Sequence, residues 1–271
     1  MKTYLETSAL ITLHFRNEQV AAACRQHLPP DAEPVVTRYV IFELARGYLT
    51  SLREMHAEAC ECRTRYDLRA MVKAHGRRHT YKGPTWTDAL DDDLFVLERE
   101  QEPEPAELPW QQQLPEMFQA RLRQVIFEGW DACQTHYPLE NPAGCRADLP
   151  PPREDAEGRL QHDLPTAQCG TAGNCGVLAY VRAHRGDFAG MHAQQGGLKL
   201  KRKAPERARR VEGMAHLLGA TGEDFEGGQC HSCADAIIAH EARGHAVATK
   251  DGDLKPLCKV CGTKMVPVPH R

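Results

Sequence analysis

Hydrophobic positions follow strand-like and helix-like periods near the start of the chain. The apolar run at residues 3–5 predicts a short strand, and the pattern over residues 9–15 predicts a helix with its apolar face inward. A second apolar pair at residues 35–36 predicts another strand, and helix formers dominate residues 52–74. This order of strand, helix, strand and helix predicts an α/β fold.

The last third of the chain returns to the same kind of pattern. We expect helices near residues 177–184, 207–218 and 234–242. A short apolar strand is expected at residues 245–249, and the segment "KMVPV" predicts a last strand. The two ends of the sequence therefore read as parts of one α/β core.

The middle of the chain is different in composition. Residues 79–165 contain the acidic "DALDDDLFVLEREQEPEPAELP", the proline-rich "NPAGCRADLPPPRED" and one helical segment near residues 114–133. We interpret residues 79–165 as a partly helical insertion into a core formed by residues 1–78 and 166–271. The acidic stretch is typical of a polar surface helix, a partner-binding segment or a mimic of phosphate.

Composition excludes some classes of protein. Hydrophobic residues make up 41% of the chain and charged residues 26%, which is enough to bury a core. The net charge of -3 gives no overall attraction to nucleic acid or membranes, so a polyanion site must be a local basic patch. No run approaches the roughly 18 apolar residues of a membrane span, and residues 1–16 lack signal-peptide features. We therefore expect a cytoplasmic protein with reduced cysteines and no membrane partner.

Five carboxylates occupy positions where an α/β fold places its sites. Glu6 follows the first strand, Asp251 and Asp253 follow the strand at residues 245–249, and Glu43 and Asp235 lie on helices. Because the carboxyl ends of parallel strands share one edge of the sheet, these acids are expected to converge. Like charges in one pocket cost several kcal/mol unless they are protonated or neutralised, and Mg²⁺ or Mn²⁺ is the natural counter-ion. Taken singly, a glutamate such as Glu43 on a helix is more often solvated than a ligand, and Asp235 could be a first-turn acid favoured by the helix dipole.

Four segments resemble the motifs of PIN-domain nucleases: "YLETSALITLH", "VTRYVIFELARGY", "ADAIIAHEARGHAVATKDGDLKPL" and "KMVPVP". The resemblance covers about residues 1–60 and 225–270, and the third segment is the most specific. It implies a PIN-like parallel sheet flanked by helices and metal-dependent cleavage of RNA, less often DNA. Many family members are toxins of toxin–antitoxin pairs, so an antitoxin or another regulatory protein is an implied partner. The resemblance places the catalytic and Mg²⁺ or Mn²⁺ ligands on Glu6, Glu43, Asp235 and Asp251, with Asp253 as an accessory acid and Ser8 as an orienting hydroxyl.

The first motif departs from the family pattern, which has aspartate where this chain has Glu6. The additional methylene moves the carboxylate outward by one carbon–carbon bond, and Mg²⁺ holds its geometry strictly. A wider pocket or a larger share for Asp253 would compensate. Ser8 has an alternative interpretation, shared with Thr7, as a plain N-cap. The alternative function is a catalytically inactive PIN-like scaffold that binds nucleic acid or a protein partner and holds structural zinc.

Cysteine pairs suggest a structural zinc site. "CHSC" and "CKVC" are separated by 24 residues, a spacing typical of zinc ligands. The segment between them resembles the helix and strand of the nuclease core, which weakens this pairing and favours a different set of ligands. Small buried thiols are the alternative to any zinc. Another alternative is an unrelated α/β enzyme with Cys175 as nucleophile. Such an enzyme would need a histidine partner for Cys175, and the sequence pattern does not indicate one. The predicted zinc set is Cys169, Cys175, Cys230 and Cys233.

One basic run, "KLKRKAPERARR", is dense enough to contact a phosphate backbone. The alternative is a solvated helix start. Its candidate nucleic-acid-binding residues are Lys199, Lys201, Arg202, Lys203, Arg207, Arg209 and Arg210.

Overall fold

A five-stranded parallel sheet organises the chain in a computed structural model. The structure describes residues 1–78, 110–147, 149–156, 158–161, 175–196, 204–219 and 229–268. The strands of this sheet are β1 (Lys2–Leu5), β2 (Glu33–Thr37), β3 (Leu139–Glu140), β6 (Ala246–Thr249) and β7 (Lys264–Pro267). They lie in the order β3-β2-β1-β6-β7, and every neighbouring pair is parallel. A separate small antiparallel pair consists of β4 (Arg153–Glu154) and β5 (Leu160–Gln161).

Helices pack around the sheet, so the predicted α/β class is confirmed. The chain also forms a π-helical turn at Ala45–Leu49 and a 3₁₀ turn at Gln229–Cys233. In the described ranges the helices are α1 (Thr7–His14), α2 (Glu18–His27), α3 (Arg38–Leu44), α4 (Thr50–Cys60), α5 (Arg65–Arg78), α6 (Trp110–Thr135), α7 (Gly176–Ala183), α8 (Arg185–Gly196), α9 (Ala204–Gly219), α10 (Ala234–Glu241) and α11 (Leu254–Cys261).

The central strand β1 explains why its sequence is apolar. Tyr4 pairs with Val35 of β2 on one side and with Val247 of β6 on the other. All three side chains are buried, as expected for a parallel strand covered by helices on both faces. The predicted strands at residues 3–5, 35–36 and 245–249 and in "KMVPV" are thereby confirmed.

The N-cap of α1 was predicted wrongly. It is Glu6, rather than Thr7 or Ser8, and its side chain accepts a hydrogen bond from the Ser8 amide at 2.9 Å. The cause is the sheet: the Glu6 amide donates to the carbonyl of Ala248 at 3.1 Å, which keeps Glu6 extended and delays the helix until Thr7. The Glu6 carboxylate therefore lies at the carboxyl end of β1.

Part of the predicted insertion packs on the core. β3 pairs with β2 through Val36 and Leu139, and α6 packs against α1, α4 and α5. The predicted helix near residues 114–133 is confirmed, and its buried side chains recur at every fourth position because they line one face. Residues 79–109 lie outside the described residues, so the boundaries of the insertion stay a prediction. The buried side chains of α6 include Leu114, Phe118, Leu122, Ile126 and Trp130.

Within the described part of the chain, no helix combines the length and the apolar character needed to cross a bilayer.

Candidate functional site

The Glu6 carboxylate is held at the carboxyl edge of the two central strands. Its Oε2 accepts hydrogen bonds from the Ser8 amide at 2.9 Å, from the Ser8 hydroxyl and from the Thr249 hydroxyl at 3.0 Å. In the described part of the chain, the hydrogen bonds to this carboxylate all end on Oε2. Oε1 is therefore the oxygen that can face an ion or a substrate.

Burial makes Glu6 unusual among the acids of this chain. Its side chain is almost inaccessible to solvent, and this burial raises its pKa to about 7. The negative charge of Glu43 raises the pKa further, whereas the hydrogen bonds from Ser8 and Thr249 lower it. A carboxyl with this pKa is partly protonated at neutral pH, and a cation beside it would favour the ionised form.

Glu43 is linked to Glu6 through Thr7, the first residue of α1. Its Oε2 accepts a hydrogen bond from the Thr7 hydroxyl at 2.5 Å. Thr7 directly follows Glu6, so the N-cap residue of α1 carries one carboxylate and the first residue of α1 contacts the other. α3, which carries Glu43, begins where the Thr37 hydroxyl accepts from the Val40 amide at 3.3 Å.

Asp251 and Asp253 join the same group from the end of β6. The Thr249 hydroxyl, which donates to Glu6, accepts from the Asp251 amide at 2.8 Å. The Asp253 amide donates to Asp251 Oδ1 at 2.8 Å, and Asp253 occupies the N-cap position of α11. Glu6, Glu43, Asp251 and Asp253 are referred to below as the acid cluster.

Ser8 connects the carboxyl ends of β1 and β6, as Thr249 does. Its hydroxyl donates to Glu6 and accepts from the Lys250 amide at 2.9 Å. Ser8 therefore contacts the carboxylate that the sequence analysis expected it to orient. The catalytic meaning of that contact stays a prediction.

Asp235 lies in the first turn of α10 and is half-buried. Tyr39 on α3 holds the 3₁₀ turn before α10, because its hydroxyl donates to the Cys230 carbonyl at 2.9 Å. Burial raises the pKa of Tyr39 well above its ordinary value, and the nearby Glu43 and Cys233 raise it further. Tyr39 thus connects the start of the Asp235 helix with the Glu43 helix.

Direct ligand spacing occurs in another place. Within the described residues, the group with three potential ligand atoms within 4.8 Å of one another is His184, Asp187 and His240. The members of the acid cluster are joined through hydroxyl and amide groups instead. The histidine group was not predicted from the sequence; the available signal was the spacing of three residues between His184 and Asp187.

The predicted zinc set stays a prediction because Cys169 lies outside the described residues. Cys230 and Cys233 are buried in the 3₁₀ turn before α10, and Cys175 is the N-cap residue of α7.

The second cysteine pair, in "CKVC", lies on α11. Burial raises the pKa of Cys258 to about 12 and that of Cys261 to about 11, and Cys261 Sγ contacts Met191 Sδ at 3.5 Å. Such neutral thiols suit apolar packing.

The basic run is largely beyond what the structure describes. Lys199, Lys201, Arg202 and Lys203 lie outside the described residues. Arg207, Arg209 and Arg210 lie on α9, and their side chains are outside the description. Their role in nucleic-acid binding stays a prediction.

Comparisons of the chain with protein-family models, with curated proteins and with solved structures found no match. The sequence motifs and the geometry of the acid cluster are therefore the features from which a function can be proposed.

Proposed function

We propose that this chain is a PIN-like nuclease that hydrolyses phosphodiester bonds with Mg²⁺ or Mn²⁺, RNA being favoured over DNA. The observation that carries the proposal is the environment of Glu6. A buried carboxyl is placed beside Glu43 at the edge where the two central parallel strands end. Placing two such groups together is costly, and a divalent cation offsets that cost.

The donor set suits a hard cation. Carboxylate oxygens are the ligands that Mg²⁺ and Mn²⁺ prefer, and the three hydrogen bonds that hold Glu6 all go to Oε2 and leave Oε1 to bind an ion. We assign metal ligation to Glu6, Glu43, Asp235 and Asp251, with Asp253 as an accessory acid. When bound, such ions would supply an activated water and stabilise the leaving oxygen of the phosphodiester.

The residues around the acids have positioning roles in this proposal. Ser8 and Thr249 fix one oxygen of Glu6, and Thr7 fixes one oxygen of Glu43. These hydrogen bonds limit the rotation of both side chains before a substrate arrives, which is what preorganisation requires. Water attacks directly in this mechanism, so no residue forms a covalent intermediate.

The motif resemblance and the basic run support RNA as substrate and an antitoxin or other regulatory protein as partner. Lysine and arginine side chains near a nuclease site would neutralise phosphates without reading sequence. Raising the salt concentration should therefore weaken substrate binding.

A cleavage assay with RNA and DNA panels in Mg²⁺ or Mn²⁺ tests the proposal. Glu43→Gln and Asp235→Asn should each lower the cleavage rate at least about 100-fold, because each removes a ligand. Glu241→Gln is the matched control. Glu241 is also buried with a pKa raised to about 7, but it accepts from Thr37 Oγ1 at 2.6 Å and the Ala143 amide at 3.1 Å.

The control variant should keep its activity. Undiminished cleavage by Glu43→Gln and Asp235→Asn would contradict the proposal. So would an equal loss in Glu241→Gln, because a general effect of removing a buried acid would then explain the result.

A binding protein without catalysis is the second candidate. It is favoured by the N-cap role of Glu6, because holding the start of α1 is a sufficient structural reason for that carboxylate. Manganese calorimetry separates the two candidates. At a nuclease site, substitution of the acids weakens Mn²⁺ binding. In an inactive scaffold, the same substitutions leave the Mn²⁺ affinity unchanged.

A further inference from the structure

A second polar group lies at the other end of α10. His240 is in the last turn of this helix, His184 is the C-cap residue of α7, and Asp187 is in the first turn of α8. Their potential ligand atoms all lie within 4.8 Å of one another. The end of α7, the start of α8 and the end of α10 thus contribute one potential metal ligand each to the same site.

One pair of atoms in this group has the spacing of ligands in a tetrahedral metal site. His240 Nε2 and Asp187 Oδ2 are 3.2 Å apart. Ligands about 2.0–2.1 Å from a tetrahedral ion are separated by about 3.3 Å, and 3.2 Å is also the long end of the range for an N–H···O hydrogen bond. The pair therefore requires little movement to admit an ion.

His184 supplies the third corner. Its ring centroid lies 4.6 Å from that of His240, and the side chain is half-buried. No hydrogen bond to its ring nitrogens occurs within the described part of the chain. A small rotation of this half-exposed ring would bring one nitrogen to ligand distance.

His240 is already oriented as a metal ligand would be. Its Nδ1 contacts the Tyr180 hydroxyl at 2.7 Å, and its ring stacks on Phe188 with centroids 4.9 Å apart. Histidine ligands commonly donate the second ring N–H to an oxygen, which fixes the tautomer and the ring plane. In the tautomer with Nδ1–H donating to Tyr180, Nε2 carries no proton and can bind an ion shared with Asp187.

Arg243 is the competing neighbour. It donates to Asp187 Oδ2 from the partly exposed surface. A carboxylate has about four lone-pair positions, so Arg243 and an ion can share it, and the arginine then acts as an outer hydrogen-bond partner.

We propose that His184, Asp187 and His240 bind one Zn²⁺ ion, with a water in the fourth position. Two imidazoles and one carboxylate suit a borderline first-row cation, whereas Mg²⁺ prefers oxygen ligands alone. This site is separate from the acid cluster and does not depend on the proposed nuclease activity. An ion there ties the start of α8 to the end of α10, the helix that carries Asp235.

Cobalt titration of the metal-free, full-length chain tests the site. Co²⁺ at this site should give visible tetrahedral absorption that the ligand variants lack, whereas a near-ultraviolet thiolate charge-transfer band would report the predicted cysteine set and should be equal in all variants. Zn²⁺ should displace the Co²⁺. His184→Ala and Asp187→Asn should each weaken Co²⁺ binding at least about 100-fold, and Tyr180→Phe about 10-fold.

His192→Ala is the matched control, because His192 lies on α8 outside the group. It should bind Co²⁺ as tightly as the unchanged protein, and Co²⁺ should raise the melting temperature of both. His184→Asn replaces His184→Ala if the alanine variant does not fold when checked by circular dichroism. Visible tetrahedral absorption of equal size in the ligand variants and the control, or no Co²⁺ binding at all, would overturn the proposal.

Discussion

Replacing Glu6 with glutamine should flatten the dependence of stability on pH. Burial raises the pKa of Glu6 from its ordinary value of 4.5 to about 7, and the charge of Glu43 adds to the increase. One pKa unit corresponds to about 1.36 kcal/mol, so the shift is equivalent to about 3 kcal/mol between the two protonation states.

The sign follows from the protons that each state binds. Between pH 4.5 and about 7 the folded protein keeps the Glu6 proton, whereas the unfolded chain has lost it. Stability therefore falls as pH rises through this window and levels off above it. Glutamine does not titrate, so the variant lacks this contribution.

Urea unfolding at pH 5 and pH 8, followed by circular dichroism, measures the effect. From pH 5 to pH 8, the unchanged protein should lose about 3 kcal/mol more unfolding free energy than Glu6→Gln. His14, whose pKa is lowered to about 4 by burial, changes stability in the opposite direction, but equally in both proteins. Mn²⁺ at pH 8 should restore stability to the unchanged protein and to Glu241→Gln, but not to Glu6→Gln. Equal losses with and without Glu6 would refute this account of the buried carboxyl.

Two further substitutions test the packing and the hydrogen bonds around the site. Gly176→Ala should destabilise the fold by about 3 kcal/mol in urea unfolding, because the new Cβ would lie 1.8 Å from the Gly144 carbonyl oxygen. Gly186→Ala, with nothing within 4 Å, is the control and should be neutral or slightly stabilising. Thr7→Val removes the donor to Glu43 and should cost about 1.5 kcal/mol in urea unfolding and weaken Mn²⁺ binding in calorimetry about 10-fold, and unchanged values would contradict the positioning role.

Hydrophobic pattern was sufficient to predict the central strands and their helices. β1 and β6 are buried on both faces, so their apolar runs are continuous and easily recognised. The acids Glu6 and Asp251 follow these strands directly, and parallel pairing alone places such residues at one edge.

Other features depend on contacts that local pattern does not contain. β3 has two residues, Leu139–Glu140, which is too short to show an alternation of polar and apolar positions. Glu6 became the N-cap of α1 because pairing with β6 keeps its backbone extended. His240 is distant in the sequence from His184 and Asp187, so only the folded structure brings the three members of the histidine group together.

Manganese calorimetry in a His184→Ala background tests the central claim most directly, because that background removes the other candidate metal site. The account predicts that this protein and its Glu241→Gln derivative bind Mn²⁺ with similar affinity. It also predicts binding at least about 100-fold weaker when Glu43→Gln or Asp235→Asn is added. Mn²⁺ affinity that is the same with and without Glu43 and Asp235 would contradict the existence of a cation site at the edge of the sheet.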